Sequence, residues 1–108
     1  MPLTVVGLPN LVIPSSQASN AVGLLDDAWG LTIYAPAAIT STSGVAVQIE
    51  PTETGTNFLT LQSGGSDVYV VQGRATVISP VPFKQIRMLS SVTEATDRIF
   101  TLTKAILV

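Results

Sequence analysis

The side chains able to do chemistry in this chain are few, and their spacing argues against catalysis. There is no histidine and no cysteine, which removes the commonest general base, the commonest metal ligand and the most reactive nucleophile together. A serine nucleophile would have to take Lys84, Lys104 or a carboxylate as its base. No Gly-x-Ser-x-Gly elbow is present, since Ser63-Gly64-Gly65-Ser66 lacks the flanking pattern. Seven acids leave a glycosidase-like carboxylate pair open. Each of them, however, lies in or beside a turn or strand end, where a solvated carboxylate is expected. Asp26-Asp27 has none of the spacing of a calcium loop and reads as a solvated turn before a strand. The glycine-rich stretch Gln62–Asp67 leads into a strand rather than a helix, so it is no phosphate loop. The expectation is a non-enzyme with no catalytic residue, no cofactor and no metal.

Binding is the chemistry that remains. Trp29, Tyr34 and Tyr69, together with Asn57, Asp67 or Gln72, are the residue types with which small β-sandwiches hold sugars. The same aromatics on strands equally suit a core or an interface. A second candidate surface is the stretch Met1–Ser19, in which Val5-Val6-Gly7-Leu8 and Leu11-Val12-Ile13 are bounded by Pro2, Pro9 and Pro14. Prolines at this density forbid a helix and a central strand, so residues 1–19 are expected as an extended arm, or an edge strand, ahead of a domain spanning residues 20–108. An apolar arm must cover itself, either on its own domain or on a neighbour. Val5, Val6, Leu8, Leu11, Val12 and Ile13 are the candidate contact residues, with packing on their own sandwich as the other reading.

The composition points the same way. Only 11% of the 108 residues are charged while 46% are hydrophobic, against roughly 25% charged in ordinary soluble domains. Hydroxyls fill the difference, with 10 Ser and 13 Thr. A polar but uncharged exterior suits a chain that buries surface against other chains, because charge is costly to desolvate at an interface core, although β propensity alone also favours threonine. All five basic residues fall at or after Arg74, giving a front half rich in acid and a basic back half. These halves are expected to meet, either as facing strands or across a subunit boundary. The net charge of −2 and pI of about 4.7 exclude a nucleic-acid footprint. No apolar run approaches the roughly 18 residues of a membrane span, and the N-terminus lacks the basic start of a secretory signal, so a cytoplasmically made protein without a membrane partner is expected.

The elements that must position these residues are short strands. From Phe58 to Leu89 four are expected, Phe58–Gln62, Val68–Val71, Arg74–Ser79 and Phe83–Leu89, broken at Ser63–Asp67, Gln72-Gly73 and Pro80-Val81-Pro82. Before them, Gly30–Ala35 alternates Leu31, Ile33 and Ala35 against Thr32 and Tyr34. Val45–Glu50 alternates Val45, Val47 and Ile49 inward with Gln48 and Glu50 outward. In Phe83–Leu89, Ile86 and Met88 share one face, and Phe83 and Leu89 make the other partly apolar. Asn20–Trp29 reads as one loose helical turn weakened by Gly23. Ser90–Asp97 carries a capping-box spacing, Ser91-x-x-Glu94, that fits one turn of helix or a loop. Arg98–Lys104 closes the fold with Phe100 and Leu102 opposite Ile99, Thr101 and Thr103, and Ala105–Val108 follows as an apolar tail. About seven strands and no solenoid repeat predict an all-β, compact antiparallel sandwich.

One stretch carries a family likeness. Val68–Leu102, with Phe83-Lys84-Gln85-Ile86-Arg87 leading to Ser90-Ser91 and a final strand at Phe100–Thr103, resembles small virion structural proteins of tailed bacteriophages. The resemblance implies a capsid decoration, or cement, protein: a minor capsid component that binds the major capsid protein, assembles with itself as a trimer, uses an extended arm to grip the shell, and resides on the capsid surface. The alternative reading is a glycan- or receptor-binding module of a tail fibre or baseplate.

Overall fold

The computed structural model describes residues 3–24, 27–41, 43–52 and 57–107. Among the described residues the chain forms an all-β sandwich without helices, and every strand pairing is antiparallel. In chain order the strands are β1 (Leu3–Ile13), β2 (Val22–Gly23), β3 (Gly30–Tyr34), β4 (Val45–Glu50), β5 (Leu59–Thr60), β6 (Gln62–Ser63), β7 (Ser66–Asp67), β8 (Tyr69–Val70), β9 (Ala75–Ile78), β10 (Gln85–Ser90) and β11 (Arg98–Leu107). Sheet A has the order β1-β11-β3-β9. Sheet B has the order β2-β10-β4-β5, with β8 sharing the β5 side of β4. Between β5 and β8 the chain leaves the sheet as the β6–β7 hairpin, whose base is clamped where Leu61 N–H donates to Val47 O and Val47 N–H donates to Val68 O.

The period-two pattern sets which side chains fill the space between the sheets. Leu31 and Ile33 of β3, Phe100 and Leu102 of β11, and Ile86 and Met88 of β10 are all buried there, as their alternation predicts. Leu11 and Ile13 of β1 join them. The stretch expected as an extended arm is indeed extended, and from Leu3 to Ile13 it lies on the domain itself as the edge strand of sheet A, paired along β11. Met1 and Pro2 lie outside the described residues. Pro9 sits in the register shift between Leu8 and Leu11, where a residue without an N–H interrupts no ladder.

Several local expectations are corrected. Leu25 and Asp26 of the expected turn Asn20–Trp29 lie outside the described residues; ahead of them the chain is extended, since Ala18 bridges Leu89, Ser19 N–H donates to Met88 O, and Val22–Gly23 pairs with β10, so residues 18–23 run along an otherwise open sheet edge. Leu24 is buried in the core. Gln48 and Glu50, expected outward, are buried. The outer side of sheet B is covered, because Arg87, directly opposite Gln48, donates from Nε to Gln48 Oε1 at 2.7 Å and lies 4.3 Å over the Phe58 ring. Strand β11 continues through Ala105 to Leu107 instead of ending in a tail at Lys104; Val108 lies outside the described residues, as do residues 53–56 of Thr52–Asn57, a stretch whose sequence reads as a hairpin loop around Gly55.

Two glycine sites show different demands on the backbone. Gly64-Gly65 form the two-residue turn of the β6–β7 hairpin with φ of +63° and +83°, and a Cβ on Gly64 would meet open space. Gly44, at the entry to β4, has φ of +98°, and a Cβ there would stand 3.0 Å from Val70 O and 3.2 Å from Tyr69 Cβ, against the neighbouring strand β8. Gly44→Ala is therefore expected to cost about 2–3 kcal/mol, and Gly64→Ala about 1 kcal/mol. Urea unfolding of the two variants checks this ordering, and equal losses would contradict it.

Candidate functional site

The outward face of sheet A is the surface on which the fold concentrates unexplained apolar groups. Partners directly opposite in an antiparallel ladder share a face. The inward set runs Leu11–Phe100, Leu102–Ile33 and Lys104–Leu31 across the sheet, so the residues between them point out. That outward set is Leu3 and Val5 on β1, Ile99 and Leu107 on β11, Tyr34 on β3 and Val77 on β9, with Thr32, Thr101 and Thr103 among them. Those six account for half of the twelve large hydrophobics exposed among the described residues, Val77 at 71% and Val5 at 68% being the most exposed. No charged residue occupies an outward strand position of this sheet. Four strands spaced by about 4.8 Å make a face of roughly 500 Å², on which a row of Gly7, Thr103 and Thr32 lies between Leu3, Val5 and Leu107 at one end and Tyr34 and Ile99 at the other.

The ordered ionic groups lie away from that face. Lys104 points inward and is buried, its Nζ donating to Asp27 Oδ1 at 2.6 Å and to Leu24 O at 3.3 Å. Asp27 is thus the partner of a buried lysine, whose hydrogen bond holds its carboxyl below the usual range; Asp26 lies outside the described residues. Glu94 is the fullest polar junction. Its buried carboxylate accepts from Thr40 N (2.7 Å), Ser41 N (3.2 Å), Ser90 Oγ (2.8 Å) and Arg98 Nε (3.0 Å). Ser90–Asp97 is accordingly a loop around a buried carboxylate, not a capped helix. Glu50, also buried, accepts from Asn57 N at 3.0 Å. Both acids depart from the expectation of solvated carboxylates, and both are engaged in holding loops. No group of three or more metal-ligating side chains converges among the described residues, and no helix is long and apolar enough to cross a membrane.

The sugar-binding candidates are dispersed. Tyr34 is outward on sheet A, and Trp29 lies five residues away beside the other end of β3, about 17 Å along a strand. Tyr69 is on β8 of sheet B, where its hydroxyl meets Asp67 Oδ2 at 3.5 Å and Asp67 accepts from Gln62 Nε2 at 3.0 Å. Gln72 is committed to Ile39 N at 3.0 Å. A cleft of about 430 Å³ opens beside the β6–β7 hairpin, lined by Leu61, Val68, Ile78, Pro80 and Phe83 with only Gln62, Ser63 and Ser79 as polar side chains. With no titratable group in its lining, it offers shape without acid–base chemistry.

The six arm residues divide. Leu11 and Ile13 are core, and Leu8 and Val12 are half-buried, whereas Val5 and Val6 are exposed on opposite faces of β1. What the sequence left out is the continuation of the apolar surface onto Val77 and Leu107; the alternation of Tyr34 against Ile33 and of Ile99 against Phe100 were its visible traces. No family model, no curated protein and no solved structure matches the chain.

Glu94 gives a pH prediction. Burial raises its pKa, but the donors from Thr40, Ser90, Arg98 and Ser41 outweigh burial, so the folded-state value lies below the ordinary 4.5. A depressed carboxylate contributes its full stability above the unfolded-state value and loses it as pH falls through the folded-state value. The domain should therefore lose stability below about pH 4.5 with a slope that Glu94→Gln reduces. Glu94→Ala should cost about 2–4 kcal/mol at neutral pH. Denaturation curves of the three proteins against pH provide the check.

Proposed function

We propose that the chain is a non-enzymatic structural protein of a phage virion, acting as a capsid decoration or cement protein that docks on the major capsid protein and stabilises the shell. The observation that carries the binding part of this reading is the charge-free outward face of sheet A, with Leu3, Val5, Tyr34, Val77, Ile99 and Leu107 exposed together. The virion part is supported by the resemblance of Val68–Leu102. A face of roughly 500 Å² is over half of the roughly 800 Å² that each partner contributes to a standard specific interface. Fully burying one Val, Leu or Ile is worth about 1.5–3 kcal/mol, of which only the surplus over ordering and association costs appears as affinity. Repetition over a shell multiplies a modest single contact. The mechanism is passive: the decoration bridges neighbouring capsid subunits, and the shell opens only once those apolar contacts break.

The second reading, a glycan-binding module, draws on exposed Tyr69 beside Asp67 and Gln62. The two separate in one experiment. Val77→Asp and Ile99→Lys alter exposed side chains, so the domain should unfold as the parent does. Each places a charge where binding would desolvate it, and retention on undecorated heads of the parent phage should drop roughly tenfold or more. Unchanged retention would overturn the role of this face. Saturable quenching of Trp29 fluorescence by host-surface oligosaccharides, without head binding, would favour the glycan reading.

A further inference from the structure

We propose that the first half of β1 is a self-pairing edge, through which two copies of the chain join sheet A into one continuous eight-stranded sheet about a two-fold axis at Val5. The direction of the main-chain groups can be worked out along β1. Asn20 Oδ1 accepts from Val12 N at 2.8 Å, and Asn20 Nδ2 donates to Asn10 O at 3.2 Å. Residues 10 and 12 thus aim their peptide groups away from β11, and Leu11 and Ile13 aim theirs at Phe100 and Arg98. Along β11 the even residues then face β1 and the odd ones face β3, as Ala105 O confirms by accepting from Trp29 N. With Thr4, Val6 and Leu8 opposite Ile106, Lys104 and Leu102, the peptide groups of Leu3, Val5 and Gly7 are the ones left on the open edge.

Among the described residues, the chain guards its other edges and leaves this one bare. Sheet B ends in strands of two residues, β2 and β5, and β9 is four residues long and is followed by Pro80 and Pro82. The far half of β1 is capped by Asn20. Leu3–Leu8 has no such device: it holds no charge, no proline and no register shift, and Leu3, Val5 and Val6 are exposed. Short strands, prolines, charges and covering loops are the usual ways of blocking edge-to-edge pairing, so a regular, neutral, apolar edge is one left available to pair.

The occupant that fits is a second copy. Opposed residues of a continuous sheet share a face, so a two-fold axis normal to the sheet must pair residues of equal parity. With Val5 against its own image, Leu3 meets Gly7 of the second copy, and all three open residues exchange hydrogen bonds, about six in total. Centring the axis on Val6 would instead bring Leu3 against Pro9, which has no N–H. No Lys, Arg, Asp or Glu occurs from residue 1 to residue 25, so bringing two copies of the strand together incurs no like-charge repulsion. The pairing is isologous and closed, giving a two-fold unit in place of the trimer that the phage resemblance implies. It also joins two outward faces into one charge-free surface of roughly 1,000 Å².

The test uses the purified full-length chain without phage heads, so its outcome is independent of the shell reading. Sedimentation velocity over a wide concentration range should show a monomer–dimer equilibrium. Because the chain has no cysteine, Val5→Cys is an unambiguous reporter: opposed hydrogen-bonded residues have Cα atoms about 5.5 Å apart, within disulfide reach, so oxidation should yield a covalent dimer. Val77→Cys, exposed on β9 near the opposite edge of the sheet, should not cross-link. Val5→Lys places two ammonium groups across the axis and should weaken the dimer roughly tenfold or more at low salt, with the unfolding of the dilute monomer unchanged. A strict monomer, a trimer, equal cross-linking at Val5→Cys and Val77→Cys, or a dimer indifferent to Val5→Lys would each overturn the proposal.

Discussion

The Glu94 carboxylate is the constraint on which the sandwich closes. Strand β10 ends sheet B at Ser90 and β11 begins sheet A at Arg98, so the seven residues between them carry the chain from one sheet to the other. A buried carboxylate costs several kcal/mol to desolvate unless donors surround it. Glu94 meets that condition by gathering the end of β10 through Ser90 Oγ, the start of β11 through Arg98 Nε, and the loop before β4 through Thr40 and Ser41 N–H. Glu94 N–H in turn donates to Ser16 O, tying in the segment that follows β1. One charge thereby fixes how the first and last strands of the domain arrive at their sheets.

From that junction β11 runs through the middle of sheet A with β1 and β3 on its two sides. Its inward residues Phe100 and Leu102 are packed, and Lys104 is satisfied by Leu24 O and Asp27. The inward face is thus fully accounted for by packing and hydrogen bonding. Nothing in that account requires Ile99, Tyr34 or Val77 on the opposite face to be apolar. An isolated domain would be served as well by serine or lysine there, whose β propensities differ by at most about 1 kcal/mol. The outward apolar set therefore reads as a requirement imposed from outside the domain.

The legible part of the fold is what depends on neighbours in sequence. Alternation at Leu31–Ile33, Ile86–Met88 and Phe100–Leu102 placed the core faces, and Pro36 and Pro51 follow the strands they bound. Leu3–Ile13 reads as extended because Pro9 within it, and Pro2 and Pro14 on either side, exclude a helix; its pairing with β11 joins residues almost a chain length apart and leaves no local mark. The misread positions are all set by distant partners. Val45–Glu50 alternates well, yet Gln48 is buried through Arg87, thirty-nine residues away. Ser91-x-x-Glu94 has capping-box spacing that left one turn of helix or a loop open, and the loop prevails because its glutamate, expected to be solvated, is buried and answers to Thr40 and Ser41, fifty-four and fifty-three residues away. The outward face was only half visible for the same reason: Ile99 and Val77 become neighbours of one surface only when β3 comes between their strands.

The distribution of charge then constrains how that surface can work. The acidic front and basic back of the chain meet inside the domain at Asp27–Lys104, while Glu94–Arg98 closes within the back half. Charge spent internally is unavailable for long-range attraction, and a neutral face gains nothing from electrostatic steering, which raises association rates only where potentials are complementary. The proposed contact on sheet A would be driven by apolar desolvation and shape, with slow, salt-insensitive association. That suits a partner met at high local density and held through many repeated contacts, because avidity compensates for a modest single affinity. It suits poorly a free ligand captured from dilute solution. The physics of an uncharged β face thus favours a role in assembly over one in capture.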